Sequence, residues 1–309
     1  MHKKLNRYLP IAFAVLLVTG MAAVSELSGE GEILFPEIAA IAAGALAAPR
    51  LAWRTNDLRL FASISAGALL GAAIVRFVPI HPAPQMCLAF LLASAMLLLS
   101  GTTFAPMISS IVLPVMLQTR SIVYPISAAV LTGLIILLKK ALTHAGLISP
   151  ADFSPAPLPD KPALMDLLLR WLLGSIVITA AVLTGFKLIA APPLLVAFTE
   201  FRAPGSKAQK QPLSVWAVIA ASALTGAVSR YAALSLGIYC FAATALTVTL
   251  VLLLMKRTGL FIPPAAALSV LAFLIPEQQL LVYPLLVSVG AAVFIGTAIL
   301  HGRLSHAQN

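Results

Sequence analysis

The sequence predicts an all-α polytopic membrane protein with about 12 membrane segments, arranged as two parallel six-segment repeats with short proline-started helices. Three observations predict it. Hydrophobic residues make up 61% of the chain and charged residues 10%, at a mean hydropathy of +1.02, whereas soluble domains carry about 25% charged residues. Apolar runs close to the ~20 residues that cross ~30 Å of hydrocarbon recur through most of the chain. Landmarks of the first half also return in the second, in the same order, at an offset of about 155 to 160 residues. Phe35-Pro36-Glu37 is echoed by Ala191-Pro192-Pro193, Gly71 to Arg76 by Gly226 to Arg230, Phe104-Ala105-Pro106 by Phe261-Ile262-Pro263-Pro264, and Tyr124-Pro125 by Tyr283-Pro284.

Polar breaks between apolar runs place six segments in the first half, near 8–25, 33–49, 60–79, 84–100, 103–118 and 121–138. Six more fall near 165–185, 187–201, 212–230, 232–254, 261–276 and 280–300. The organisation is therefore a first membrane repeat (1–140), a Pro-rich linker (141–163), a second membrane repeat (164–301) and a short tail (302–309). Prolines at 150, 155, 157, 159 and 162 keep the linker out of regular helix. Met1 to Arg7 with the apolar run after it has the layout of a signal peptide. Its echo at Leu167 to Thr184 makes it part of the repeat instead.

Orientation follows from the basic residues. With the N-terminus in the cytoplasm, 16 of the 20 Lys and Arg fall inside, and only Arg76, Arg120, Lys187 and Arg230 fall outside. Both termini and the linker are then cytoplasmic in a multi-pass protein of the cell inner (plasma) membrane. The basic loops Arg50 to Arg59 and Arg202 to Lys210 share that side, so an even number of crossings separates them and the repeats are parallel rather than inverted. The net charge of +10 reports this topology, not affinity for nucleic acid.

Four segments are short and open with proline, which is at home in a first helical turn. They begin at Pro36-Glu37, Pro106, Pro192-Pro193 and Pro263-Pro264. Two readings stay open: short tilted spans buried in protein, or discontinuous helices whose free N–H groups and positive ends face a cavity. In the second reading four helix starts share one electropositive interior. The candidate substrate-binding residues are then Glu37, Thr102, Thr103, Pro106, Ser109, Ser110, Pro192, Pro193, Thr258, Gly259, Pro263 and Pro264, with Thr199 and Ser269 as further hydroxyls. Glu37 is the candidate coupling carboxylate, favoured by the helix dipole and opposed by desolvation; the alternative is an interfacial glutamate near the outer headgroups. Glu200 with Arg202 reads as an interfacial pair, Arg76 and Arg230 as headgroup-seeking helix ends, and Tyr124 and Tyr283 as interfacial aromatics.

The segments quoted resemble the HPP family of integral membrane proteins, named for a His-Pro-Pro signature at the start of a late helix. In the second half the similarity runs from Ala190 to Phe198, through Ala203-Pro204-Gly205-Ser206 to Pro212 and Ala221 to Gly226, to Ile262-Pro263-Pro264-Ala265 and the Tyr283-Pro284 helix. Ile262 stands where the signature has histidine, the first half keeps one proline at Ala105-Pro106-Met107, and His81-Pro82 lies outside the alignment. The resemblance implies transport, with nitrite uptake attributed to some members.

No HExxH, CxxC, GxSxG or P-loop motif is present. Cys87 and Cys240 lie within apolar runs, which argues for neither a disulfide nor a metal, and no cofactor is expected. The expected function is a secondary transporter or channel for a small solute, with a small anion (nitrite-like or a small organic anion) leading, by alternating access between the repeats. The expected partners are the lipid bilayer, the solute and a second copy in a homo-oligomer. The rival is a non-transporting assembly partner or an intramembrane enzyme acting on a lipid.

Overall fold

Proline and left-handed residues punctuate the chain into helices, as local backbone chemistry demands. The computed structural model describes residues 8–150, 152–157, 159–202 and 206–306, the last six of these by backbone alone. The basic run Lys3, Lys4 and Arg7, the loop residues Ala203 to Gly205 and the tail beyond His306 lie outside the described residues.

Helix α1 (Leu9–Ser28) has Pro10 in its first turn and stops at Gly29 (φ 70°). Short α2 (Glu37–Ala42) continues as a π-turn over Ala43–Ala47. Helix α3 (Asp57–Phe77) is capped by Asn56, whose side chain accepts from the Arg59 N–H at 2.8 Å. There follow α4 (Pro82–Leu99), short α5 (Pro106–Leu117) and α6 (Val123–His144). After the linker, α7 (Lys161–Leu183) is capped by Asp160, which accepts from the Ala163 N–H at 2.9 Å. Short α8 (Pro192–Phe201), the single turn α9 (Lys207–Lys210), α10 (Pro212–Leu236), α11 (Cys240–Thr258), short α12 (Pro263–Leu271) and α13 (Tyr283–His306) complete the order. No strand occurs among the described residues.

Eight of these helices, α1, α3, α4, α6, α7, α10, α11 and α13, are long and apolar enough to cross a membrane. The twelve segments of the sequence reading thus resolve into eight helices of crossing length and four short ones. Helices α5, α8 and α12 have 12, 10 and 9 residues. At 1.5 Å per residue they reach only about 14 to 18 Å, too short for ~30 Å of hydrocarbon. They are short because proline sets each start, while left-handed Gln118 ends α5, Arg202 ends α8, and α12 gives way to a turn ahead of Pro276.

The four short helices form the centre, where α2 packs on α12, α12 on α8, α8 on α5 and α5 on α2. Every residue of α2 and α12 is buried, as is Pro106–Met116 of α5. The long helices surround this centre: α3 and α4 flank α5, α10 and α11 flank α12, α6 packs on α3 and α13 on α10 and α8, while α1 pairs with α11 and α4 with α7. Lipid tails are as apolar as leucine, so burial alone does not drive this association; close van der Waals packing does. Glycines make it possible. A Cβ at Gly71 would meet the Ile111 carbonyl and Pro114 ring, one at Gly226 the Ser269 carbonyl, and one at Gly290 the Ile189 carbonyl.

Short helices in apolar surroundings leave carbonyls without donors, and long side chains supply them. Pro114 lacks the N–H that would bond Ser110 C=O, and the Tyr124 hydroxyl donates to that oxygen at 3.2 Å. The Tyr283 hydroxyl donates to Leu268 C=O, in the last turn of α12, at 2.5 Å. Both tyrosines are buried, at 2% and 0% exposure, which corrects their reading as interfacial aromatics. Arg230 likewise donates to the Ala272 and Ile275 carbonyls at the end of α12, and Lys187 to Met116 C=O of α5 at 3.1 Å. Arg230 is therefore a helix-end cap rather than a headgroup ligand. Arg76 is exposed at the end of α3.

Candidate functional site

A cleft of ≈ 1260 Å³ opens at the end of the bundle where the linker lies. Its wall is assembled from the loop after α2 (Ala48 to Trp53), the approach to α5 (Gly101 to Ala105), the linker (Ala156 to Asp160) and α7 (Ala163, Asp166, Arg170). The end of α8 (Thr199 to Arg202), Ser206 to Gln209 and the approach to α12 (Gly259 to Pro263) close it. Both halves of the chain contribute.

Backbone and aromatic contacts hold these pieces together. The Arg54 N–H donates to Thr103 Oγ1 at 2.8 Å and the Thr103 N–H to Arg54 C=O at 3.1 Å, which clamps the loop after α2 to the approach to α5. The Trp53 ring fills the notch at Gly44, where an added Cβ would collide with it. That is a physical reason for the wide π-turn there. Trp53 also meets Phe104 edge-on at 5.1 Å, and its Nε1–H donates to Glu200 Oε1 at 2.7 Å, so one side chain ties the two halves. The Ala156 N–H donates to Gly101 C=O at 2.9 Å, and the Arg59 guanidinium lies 5.1 Å over the Phe153 ring while donating to Ser100 C=O. Gly101 takes φ 62°, where a Cβ would also press on Ala156.

The electrostatics are mixed, with cations ahead. Arg50, Arg170, Arg202 and Lys207 face Asp160, Asp166 and Glu200. Arg202 Nη2 pairs with Asp166 Oδ1 at 2.6 Å, and Lys207 Nζ donates to Phe261 C=O at 2.7 Å. Burial lowers the Lys207 pKa from its ordinary value, and the neighbouring Glu200 opposes that shift. Glu200 bonds Trp53 and Arg202 pairs with Asp166, so the interfacial-pair reading of Glu200 and Arg202 gives way to two contacts lining one cleft. The amino ends of α5 and α12 add the positive ends of two helix dipoles.

Of the residues expected to bind substrate, this cleft brings together Thr102, Thr103, Gly259 and Pro263. Thr258 lies next door, with its hydroxyl donating to Leu254 C=O of its own helix at 2.9 Å. Pro106, Ser110, Pro192, Pro193 and Pro264 are packed in the helical centre, with the Ser110 hydroxyl on Met107 C=O at 2.8 Å. Glu37 is 1% exposed between α2 and α5. Its Oε1 accepts from the Ser109 hydroxyl, and its Oε2 has no hydrogen-bond partner. The expected convergence of four helix starts is therefore corrected. Helices α5 and α12 bring their amino ends to the cleft, whereas α2 and α8 bring their carboxyl ends, because consecutive segments reverse direction.

The sequence reading missed Trp53, Asp166, Arg170 and Lys207 as cleft residues. Arg170, four residues after Asp166 in an otherwise apolar stretch of α7, carried a signal: charge inside a membrane helix calls for a partner or a cavity. Among the described residues no His, Cys, Asp and Glu cluster is placed to hold a metal ion. The fold and cleft define an α-helical membrane protein with a cleft at one end that carries charged side chains on a largely apolar wall. Comparison with protein-family models, curated proteins and solved structures finds no match to this chain.

Proposed function

We propose that the protein is a secondary transporter for a small anion, working by alternating access between two parallel six-segment repeats. The cleft carries the reading. It lies at the seam between the halves, it gathers charged side chains within an apolar bundle, and two helix amino ends and a surplus of cations face it. Such ends bind anions through unpaired N–H groups and a positive dipole.

The packing supports two equivalent halves. Each of α1·α11, α2·α12 and α3·α5 has its counterpart in α7·α4, α8·α5 and α10·α12 when the halves are exchanged. Six segments per half is an even number, so the relating axis lies along the membrane normal in this reading. Both termini and the linker then face the cytoplasm of a plasma-membrane protein, and the cleft is its inward mouth. Kinship with HPP-type membrane proteins belongs to the same reading and rests on the residues quoted above. No catalytic role is proposed.

The test is uptake by purified protein in proteoliposomes, measured over nitrite, formate, pyruvate and benzenesulfonate against protein-free vesicles, with and without a pH gradient. Saturable uptake of at least one anion is the expected result. Rates equal to those of empty vesicles for all four would end the proposal.

A further inference from the structure

Arg170 is the group in the molecule whose chemistry is least accounted for by the fold. It lies within α7, is 8% exposed and lines the cleft. Its Nε is buried without a partner, and no side chain or carbonyl of the described residues accepts a hydrogen bond from it. The carboxylate one turn earlier on its own helix, Asp166, is engaged by Arg202 at 2.6 Å. Asp166 still attracts Arg170 across the turn while Arg202 repels it, but an arginine cannot shed its charge by deprotonation, and a buried cation without a direct hydrogen-bonded partner carries a large desolvation penalty. An anion entering the cleft removes that penalty, and the planar guanidinium fork matches an oxyanion with two oxygens in one plane.

Cleft size and lining narrow the class. Pockets for drug-sized ligands occupy about 300 to 1,000 Å³, so ≈ 1260 Å³ is far more than a three-atom inorganic anion requires. Trp53, Leu97, Phe201, Phe261 and Ile262 give the cleft an apolar and aromatic side, which an inorganic ion would leave unused. The acidic Asp160 and Glu200 on the same wall disfavour a second negative charge.

We propose that Arg170 anchors an organic monoanion, a carboxylate or sulfonate on an apolar body, with that body against Trp53 and Phe261. The proposal rests on the transporter reading for the purpose of binding, but not for the binding itself.

The experiment is titration calorimetry on the full-length protein in lipid nanodiscs, using benzoate, benzenesulfonate, benzyl alcohol, benzylamine and nitrite. Benzoate and benzenesulfonate should bind and compete with each other, the neutral and cationic analogues should not, and equimolar nitrite should not displace benzoate. Arg170→Gln should weaken benzoate binding by about 10- to 100-fold, the scale of a lost charge-assisted pair, and Arg170→Lys by less. Palmitate placed in the nanodisc lipid separates a bilayer source of the anion from an aqueous one, and either source supports the proposal. Wild-type affinity in a folded Arg170→Gln protein would overturn it. So would benzyl alcohol binding as tightly as benzoate, a comparison that decides the matter even if the variant does not fold. Benzoate binding that depends on Arg170, without uptake in vesicles, would retire the transporter reading and leave the anion site standing. Uptake that ignores Arg170 would do the reverse.

Discussion

The close approach of backbones in the centre predicts opposite signs for one and the same substitution. In an open helix, Gly→Ala gains about 0.5 to 1 kcal/mol from helix propensity and reduced unfolded-state entropy. Gly20 in α1 and Gly296 in α13 have no atom near the position of an added Cβ, so Gly20→Ala and Gly296→Ala should stabilise by roughly 0.5 kcal/mol. At Gly71 and Gly226 the added methyl would land on the Ile111 and Ser269 carbonyls. Those are helix backbone atoms that no rotamer change can move aside. Overpacking of this kind costs about 1 to 3 kcal/mol, which leaves a net loss of about 1 to 2 kcal/mol after the propensity gain. Gly71→Ala and Gly226→Ala should therefore separate from the two open sites by about 2 kcal/mol. Reversible unfolding in mixed micelles with increasing dodecyl sulfate reads this difference. If all four variants shift together, the short helices do not pack on α3 and α10 as described.

The remaining predictions concern hydrogen bonds and protons. Thr103→Val removes the acceptor of the Arg54 N–H and should cost about 1 to 3 kcal/mol in the same assay. Thr258→Val, whose hydroxyl only back-bonds within its own helix, should be close to neutral. Tyr124→Phe and Tyr283→Phe each strip a donor from a carbonyl that its own helix leaves open; each should cost about 1 kcal/mol, and a neutral result would remove the tyrosines from the account of how the short helices are satisfied. Glu37→Gln keeps an acceptor for Ser109, so it should leave unfolding near wild type while removing the pH dependence of uptake. Unchanged pH dependence would make Glu37 a structural residue.

Much of the fold is legible in the sequence because its punctuation is local. Pro82, Pro106, Pro192, Pro212 and Pro263 each sit at the start of a helix, since a first turn needs no N–H from them. Gly29, Gly237 and Gly259 take left-handed backbone at helix ends. What periodicity could not supply is the direction in which each short helix meets the centre, and that direction decides which ends share a cleft. The Trp53–Glu200 bond joins positions that hydropathy treats as unrelated loops. Tyr124 and Tyr283 looked interfacial because each precedes a proline at a segment start, whereas the carbonyls they satisfy belong to other helices. Arg170 was counted as a topology marker, and its lack of a hydrogen-bonded carboxylate emerges only once Arg202 is seen to hold Asp166.

Counterflow of an impermeant organic anion tests the central claim most directly, because it separates transport from binding and from leak. Proteoliposomes preloaded with benzenesulfonate are diluted into a trace of the labelled anion. The account predicts a transient accumulation of label above its equilibrium level, reduced by Arg170→Gln and missing from protein-free vesicles. A monotonic approach to equilibrium at the rate of empty vesicles would contradict it.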